Sequence, residues 1–388
     1  MNVQPASAEP TTRDTVHTVP GDPGAPSPLP AEHPLVTGRT ANAPLVRALR
    51  GDRPERTPVW FMRQAGRSLP EYREIRATTR MLDACLDPEL ASEITLQPVR
   101  RHGVDGAVFF SDIVVPLLLA GVDVDLVAGR GPVFAQPVRT AEDVAWCRAE
   151  FTPERLRAAI GPITDAVQRT VAELGDTPLI GFAGAPFTLA AYLVEGGPSR
   201  DHLRARTLMH ADPDTWRELL AWTAELSGEF LAAQVAAGAS AVQLFDSWAG
   251  SLGVADYRAH VAPASAAALA TVRELRDPAG QPLPTIHFAV GSGHLLEAMA
   301  ELGTTALGVD WRTPLDEASA RLGDRLPLQG NLDPAFLGAP EAVLRAELAE
   351  VLRRGQRAPG HVLNLGHGVP PEADPDVLTR IVELTHAS

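Results

Sequence analysis

The sequence predicts a single (β/α)8 (TIM) barrel with a disordered N-terminal tail. Eight short, almost continuously apolar runs lie within residues 41–388, as expected for strands of a buried parallel sheet. Segments with helical periodicity and helix-start residues lie between most of these runs. A doubly wound open sheet is the alternative, but it usually shows a glycine-rich turn after its first strand. Here that strand is followed by Arg-Gln-Ala-Gly-Arg.

The first 40 residues differ in composition from the rest of the chain. They hold eight of the 35 prolines, many Ala, Ser, Thr and Gly residues, and almost no large apolar side chains. Such a segment cannot bury enough apolar surface to order itself. We therefore expect residues 1–40 to form a disordered proline-rich extension and residues 41–388 to form the barrel domain.

The predicted elements alternate along the domain. The predicted strands are Val59–Met62, Gly106–Phe110, Leu179–Phe182, Ala241–Phe245, Thr285–Ala289, Ala306–Val309, Leu326–Leu328 and Val362–Leu365. The predicted helices are Pro88–Arg101, Pro213–Ala237, Tyr257–Arg276, His294–Leu302, Pro340–Arg354 and Pro375–His386. Asp87 followed by Pro88 illustrates the start signal, because aspartate caps free amides and proline is favoured at the first helical position.

The composition excludes several classes of function. The net charge of −14 argues against nucleic acid as a partner, since phosphate attraction requires a basic face. We find no apolar run long enough for a transmembrane helix and no secretory signal, so we expect a cytoplasmic protein with no membrane partner. Two distant cysteines exclude a disulfide framework. The chain contains no lysine, which excludes Schiff-base enzymes and the Walker A phosphate loop.

Polar side chains follow the end of every predicted strand, where this fold places its chemistry. They include Arg63, Gln64, Arg67, Ser111, Asp112, Thr188, Tyr192, Asp246, Ser247, Asp310, Asn331, Asp333 and His367. Loops are polar in general. These groups, however, share one end of the strands and lie beside glycines, which favours a functional site.

Two arginines in a turn of small residues suggest an anion site. Arg63 and Arg67 flank Gln-Ala-Gly, and arginine binds carboxylates through two parallel hydrogen bonds. The expected ligand is a polycarboxylate or a phosphate. The alternative is that each arginine pairs with a structural glutamate such as Glu71 or Glu74.

An aspartate follows the apolar run Val-Phe-Phe-Ser. An ionised Asp112 would attract N–H donors or a developing cation. The alternative is a cap for the next helix, which the following Ile-Val-Val-Pro disfavours. His287, His294 and His367 could suggest a metal, but no HxxxH or HExxH spacing and no nearby cysteine supports one. Direct substrate contact is the favoured role for His367, which lies between two glycines.

Several of these stretches resemble the uroporphyrinogen decarboxylase family. PVWFMRQAGRSLPEYR and GFAGAPFTLAAYLVEG are similar to its two long signatures. FFSDIVVP, QLFDSWAG, HFAVGSG, GVDWR, QGNLDP and NLGHGV follow in the family's order, so that the resemblance covers about residues 42–386. Ser68 departs from the pattern, because the family commonly has tyrosine there.

The resemblance implies a function as well as a fold. It implies a homodimeric barrel enzyme of tetrapyrrole and haem biosynthesis that works without a metal or organic cofactor. Its reaction removes the four acetate carboxyl groups of uroporphyrinogen III as carbon dioxide and gives coproporphyrinogen III. The substrate carries eight carboxylates, which suits an arginine-lined site.

Site roles are carried over by position. The resemblance makes Arg63, Gln64, Ala65, Gly66 and Arg67 the substrate-contacting turn, in which the arginines bind carboxylates. It places Asp112 against the pyrrole N–H groups, and Tyr192, Ser247 and His367 against other parts of the substrate. Asp112, Arg63, Tyr192 and His367 are the expected catalytic set, and the sequence leaves the proton donor open.

Two rival functions differ in their requirements. A corrinoid or thiol methyltransferase on the same barrel would need zinc held by a His-x-Cys pair, whereas this chain has His287-Phe288-Ala289 and no cysteine beyond Cys147. A non-catalytic tetrapyrrole-binding protein would keep the arginines and lose Asp112 or Tyr192, and both are present.

Overall fold

A parallel sheet curls around the core of the molecule. The computed structural model describes residues 27–66, 68–127 and 129–388. Its strands are β1 Ser27–Pro28, β2 Ala107–Val108, β3 Val124–Val127, β4 Gly131–Phe134, β5 Leu179–Gly184, β6 Ala241–Phe245, β7 Leu275–Arg276, β8 Thr285–Phe288, β9 Ala306–Gly308, β10 Leu328–Gln329 and β11 His361–Val362. Seven of them form one sheet in the order β11-β10-β9-β8-β6-β5-β2, in which every pair is parallel.

The first predicted strand closes this sheet into a barrel. Val59 forms a parallel bridge with Leu363, and the Leu363 amide donates to the Pro58 carbonyl at 2.8 Å. On its other side, the Val59 carbonyl accepts from the Asp105 amide at 2.8 Å, just before β2. The (β/α)8 barrel predicted from the sequence is confirmed, although its first strand is reduced to this single bridge.

Polar side chains join opposite walls inside the barrel. Trp60 Nε1 donates to Gln329 Oε1 at 3.0 Å, and Gln329 Nε2 donates to Gln243 Oε1 at 2.9 Å. All three side chains are buried. These hydrogen bonds offset the free-energy cost of burying the polar atoms. The contacts link the first strand to β10 and β10 to β6.

Helices surround the sheet. They are α1 Pro44–Leu49, α2 Pro70–Arg76, α3 Met81–Leu86, α4 Pro88–His102, α5 Val115–Ala120, α6 Ala141–Glu150, α7 Pro153–Ala159, α8 Gly161–Glu173, α9 Pro186–Glu195, α10 Leu203–Ala211, α11 Pro213–Ala236, α12 Val254–His260, α13 Ala262–Arg273, α14 Leu296–Ala300, α15 Leu315–Arg321, α16 Glu341–Gly355 and α17 Pro375–His386. Short 3-10 turns lie at Ala249–Ser251, Gly293–Leu295 and Pro334–Gly338. Within the described residues, no helix combines the length and the apolar character needed to cross a membrane.

The predicted helix Tyr257–Arg276 is wrong as a single element. The chain breaks at Val261 (φ −127°, ψ −48°) between α12 and α13. Pro263 explains the break, because it has no amide for a continuous helix and is instead accepted in the first turn of α13. The end of the predicted segment pairs with β1 as β7.

Residues 27–40 contact the barrel, which moves the predicted boundary of the tail. The β1 strand pairs with β7, Leu29 and Leu35 are buried, and His33 Nε2 lies 3.1 Å from the Ala239 carbonyl oxygen. The two buried leucines can order this segment because its prolines lose little backbone freedom on folding. The predicted disorder is therefore wrong for residues 27–40, and residues 1–26 lie outside the described residues.

Buried histidines predict a loss of stability in acid. Burial lowers the pKa of His361 to about 4, as it does for His33, His102 and His202. The unfolded chain takes up protons first, near pH 6.5, so stability is full above that pH and falls as the pH drops toward 4. His361 alone is expected to lower the free energy of unfolding by about 2 kcal/mol at pH 5 relative to pH 7.5.

Urea unfolding of wild type and His361→Gln at both pH values measures this contribution. The variant should lose less stability between pH 7.5 and pH 5 than the wild type does, because the other buried histidines remain in both proteins. If the free energy of unfolding fell equally in the two proteins, His361 would not contribute to the acid sensitivity.

Candidate active site

The predicted site residues lie in loops and helices that follow the strands of the barrel. Arg63, Gln64, Ala65 and Gly66 follow the bridge at Val59; Asp112 follows β2; Tyr192 lies on α9 after β5; Ser247 follows β6; and His367 follows β11. Arg67 lies outside the described residues. Parallel strands in a barrel all end at the same face, so the described members share one face.

The turn after the first strand holds Arg63 in an unusual conformation. Arg63 has a φ of +63° and is exposed. The next residue, Gln64, fixes the turn: its Oε1 accepts from the Phe61 amide at 2.9 Å, and its Nε2 donates to the Gly106 carbonyl at 2.9 Å. Gln64 has no exposed surface. Its contact with substrate remains a prediction, and its hydrogen bonds shape the turn that presents Arg63.

Two hydrogen bonds to the Met62 backbone hold the Arg63 turn against the turn that carries His367. The Met62 amide donates to Asn364 Oδ1 at 3.0 Å, and the Met62 carbonyl accepts from the Val369 amide at 2.8 Å. The Arg63 side chain then runs over Gly368, where an added Cβ would lie only 2.5 Å from Arg63 Cδ. Glycine is needed at position 368 for this close approach.

Gly368→Ala is therefore expected to displace Arg63 without unfolding the protein. The clash is with a flexible side chain, so we expect a reduced kcat/KM and a melting temperature close to that of the wild type. Gly338→Ala is the matched control, because no atom lies within 4 Å of its added Cβ. Steady-state kinetics and thermal melts of both variants test the expectation. Equal kcat/KM in Gly368→Ala and the control would count against a role for the Arg63 position.

Asp112 is half-buried and begins a turn. One oxygen, Oδ1, accepts from the Val114 amide at 3.1 Å, and α5 begins at Val115. Asp112 does not cap this helix, because its N-cap residue is Val114 and no side chain caps it, which agrees with the expectation that Ile-Val-Val-Pro disfavours an immediate helix start. The carboxylate also raises the pKa of Tyr192, so the two groups lie within electrostatic range of each other.

Tyr192 is positioned by Trp248 and a buried hydroxyl–carboxylate pair. Its ring meets the Trp248 ring edge to face, with centroids 5.1 Å apart. The Trp248 amide donates to Thr188 Oγ1 at 3.4 Å, and that hydroxyl donates to Asp246 Oδ1 at 2.8 Å. Burial and Asp112 raise the Tyr192 pKa to about 12, against the opposing effects of Arg63 and Trp248. The phenol is therefore protonated at neutral pH. Ser247 lies in the same loop and is half-buried.

His367 presents a neutral imidazole. Burial, then Arg63 and Arg312, hold its pKa below the usual value, and Asp310 opposes them. Its Nδ1 accepts from the Gly368 amide at 2.7 Å, which places the ring proton on Nε2. The ring stacks on Trp311 with an interplanar angle of 19° and a centroid distance of 6.3 Å. The group is thus a hydrogen-bond donor at neutral pH.

A second arginine at this face lies outside the predicted set. The Arg312 guanidinium lies 3.8 Å above the centroid of the Trp311 ring, on which His367 also stacks. Arg312 Nη1 donates to the buried Asp310 carboxylate at 2.6 Å. In the sequence, Arg312 could have been noticed because it closely follows Asp310 at the end of a predicted strand, within the motif GVDWR.

The histidines that could suggest a metal do not converge. His287 has no exposed surface and lies 3.8 Å from the nearer Asp246 oxygen, whereas His294 Nε2 lies 2.7 Å from the Leu252 carbonyl oxygen. Among the described residues, no group of three potential metal ligands includes either histidine or His367. Cys85 and Cys147 are also buried, and burial raises both thiol pKa values, that of Cys147 to about 12.

Comparisons with known proteins identify relatives of this chain. The family model "Uroporphyrinogen decarboxylase (URO-D)" matches residues 40–388. The chain is 66% identical over 350 residues to a uroporphyrinogen decarboxylase of Arthrobacter sp. (strain FB24), covering 90% of this chain and 98% of that protein. It is 63% identical over 369 residues to the enzyme of the same name from Leifsonia xyli subsp. xyli, with 92% and 98% covered.

Among solved structures, a methyltransferase from Methanosarcina mazei superimposes with a TM-score of 0.72. The match covers 89% of this chain and 98% of the methyltransferase. Sequence identity is 19%, so this likeness concerns the fold alone.

Proposed function

The chain belongs to the uroporphyrinogen decarboxylase family and is a carboxy-lyase, and from this premise we propose how its own residues perform the reaction. The substrate is uroporphyrinogen III, and each of its four acetate groups loses its carboxyl group as carbon dioxide. The product is coproporphyrinogen III, an intermediate of porphyrin biosynthesis. The observation that supports the assignment of roles is that Arg63, Asp112 and Tyr192 all follow strands that end at one face of the barrel.

Substrate carboxylates are held by donors on two sides of the site. Arg63 offers a fork of N–H groups that matches a carboxylate. The protonated phenol of Tyr192 and the Nε2–H of His367 add neutral donors, and the exposed part of Arg312 adds positive charge. These groups give a polycarboxylate substrate a local cationic region on a chain whose net charge is −14.

Asp112 acts on the reacting ring. A proton added to a pyrrole carbon makes the ring a cation and an electron sink. The acetate C–C bond then breaks, its electron pair enters the ring, and carbon dioxide leaves. The resulting exocyclic methylene takes up a proton to become methyl, and the ring returns a proton, so that each carboxylate consumes one proton in total. An ionised Asp112 near the pyrrole N–H groups stabilises the cationic states more than the neutral substrate.

We further propose that the enzyme needs no metal or organic cofactor, that it acts in the cytoplasm, and that it is a homodimer. These proposals rest on family membership. Light scattering of the purified protein should give twice the monomer mass of 41.2 kDa. A mass equal to one chain at micromolar concentration would contradict the dimer.

Anaerobic incubation of chelator-treated protein with uroporphyrinogen III tests the function. The products are oxidised and separated by their number of carboxyl groups. The proposal predicts stepwise conversion from eight to four carboxylates. Recovery of unchanged substrate would contradict it, and unchanged substrate that stays bound to the protein would favour the tetrapyrrole-binding alternative. Activity that appears only after zinc is restored would contradict the cofactor-free mechanism.

A further inference from the structure

A cluster of metal-ligand side chains lies on two outer helices. His210 comes from the last turn of α10, and Asp256 and His260 come from α12. Each of the three residues offers one ligand atom, and these atoms all lie within 4.8 Å of one another. His210 Nε2 lies 3.6 Å from Asp256 Oδ2. None of the three belongs to the proposed decarboxylation site.

The backbones under this cluster are anchored. Asp256 and His260 are four residues apart on α12 and therefore share a face of that helix. Tyr257 between them is fully buried, and Trp216 Nε1 of α11 donates to the His260 carbonyl at 3.2 Å. On α10, Met209 is fully buried next to His210. The ligands thus project from two helices whose positions are already fixed by packing, so binding an ion requires only side-chain adjustment.

The donor set matches zinc and similar divalent transition metals. Zinc binds imidazole nitrogen and carboxylate oxygen at about 2.0–2.2 Å, which separates tetrahedral ligand atoms by roughly 3.3 Å. The 3.6 Å between His210 and Asp256 is close to that separation. The nearest basic residue along α12, Arg258, pairs with Glu301 instead of neutralising Asp256. Half-burial of Asp256 and His260 beside the exposed His210 leaves the cluster open to an ion from solvent.

We propose that His210, Asp256 and His260 form a binding site for one divalent zinc-class ion, which joins α10 to α12. Three protein ligands leave a fourth position for water. The ion binds the folded chain, because the unfolded chain does not hold these three groups together, and it therefore stabilises the fold. The site lies outside the proposed decarboxylation site and acts independently of it.

Titration calorimetry of tag-free, chelator-treated protein with zinc chloride tests the proposal. Wild type should bind one equivalent and melt at a higher temperature when zinc is present. Removing a residue that hydrogen-bonds to a metal ligand, without touching the metal itself, lowers metal affinity by about 10–100-fold. Removing a direct ligand should cost at least as much. His260→Ala and Asp256→Asn should therefore weaken binding by at least about tenfold and abolish the shift in melting temperature.

His294→Ala is the matched control, since it removes an exposed histidine outside the cluster and should bind zinc as the wild type does. Cobalt(II) added in place of zinc should give the intense visible bands of a tetrahedral ion in the wild type and in the control. Decarboxylase turnover should be the same in all four proteins. Absence of binding in the wild type, or binding of equal affinity in His260→Ala, would overturn the proposal.

Discussion

Replacing Asp112 by asparagine is expected to lower the turnover number by about 10²–10³, the usual cost of removing one preorganised electrostatic group. Asparagine keeps the size of the side chain and removes its charge. The substrate is neutral at the pyrrole nitrogens, whereas the protonated ring is cationic, so the lost interaction belongs mainly to the transition state. KM should change little by comparison. The measurement is steady-state turnover, followed by carboxyl-group analysis of the products.

Asp214→Asn is a suitable control for this variant. Its side chain is 82% exposed and pairs with Arg217 on the surface of α11. Such a pair contributes little to stability, and the residue is outside the proposed site. The control should turn over as the wild type does. A turnover number for Asp112→Asn equal to that of the control would reject the proposed role of the carboxylate.

Replacing Arg63 by alanine is expected to lower kcat/KM by about 10- to 100-fold. A hydrogen bond to a charged group contributes about 1.5–3 kcal/mol, and 1.4 kcal/mol corresponds to a factor of ten. Part of the loss should appear in KM, because a substrate carboxylate is held before and during the reaction. Arg63→Lys keeps the charge but loses the fork of donors, so it should recover only part of the activity.

The control for Arg63 is Arg80→Ala, which removes a 66% exposed arginine paired with Asp125. Its kcat/KM should equal that of the wild type. If Arg63→Lys restored full activity, a point charge would be sufficient and bidentate binding would be wrong. If Arg63→Ala matched the Arg80→Ala control, Arg63 would not bind substrate.

The parts of the fold that the sequence predicts best are those with local physical causes. Asp87 caps α4 by accepting from the Glu89 and Leu90 amides, and Pro88 occupies the first turn, as predicted. The strand Ala241–Phe245 matches its predicted bounds because four of its five residues are fully buried. The site face follows from topology, since polar residues after parallel strands must meet at one end of the barrel.

The features that sequence reasoning missed depend on contacts between distant segments. The roles of Gln64 in shaping the turn and of Gly368 in admitting Arg63 require a strand order that no single segment specifies. The burial of Leu29 needs its distant partner β7. His367 stacks on Trp311 only because β9 and β11 both lie beside β10. Local patterns carry no information on such pairings.

The most direct test of the account isolates the first decarboxylation step. Excess enzyme is mixed anaerobically with uroporphyrinogen III, the reaction is stopped at set times, and loss of the first carboxyl group is followed for wild type and Asp112→Asn. The account predicts a step about 10²–10³ slower in the variant when all substrate is bound. An unchanged rate at saturation, with the whole defect in substrate binding, would contradict stabilisation of a cationic ring by Asp112.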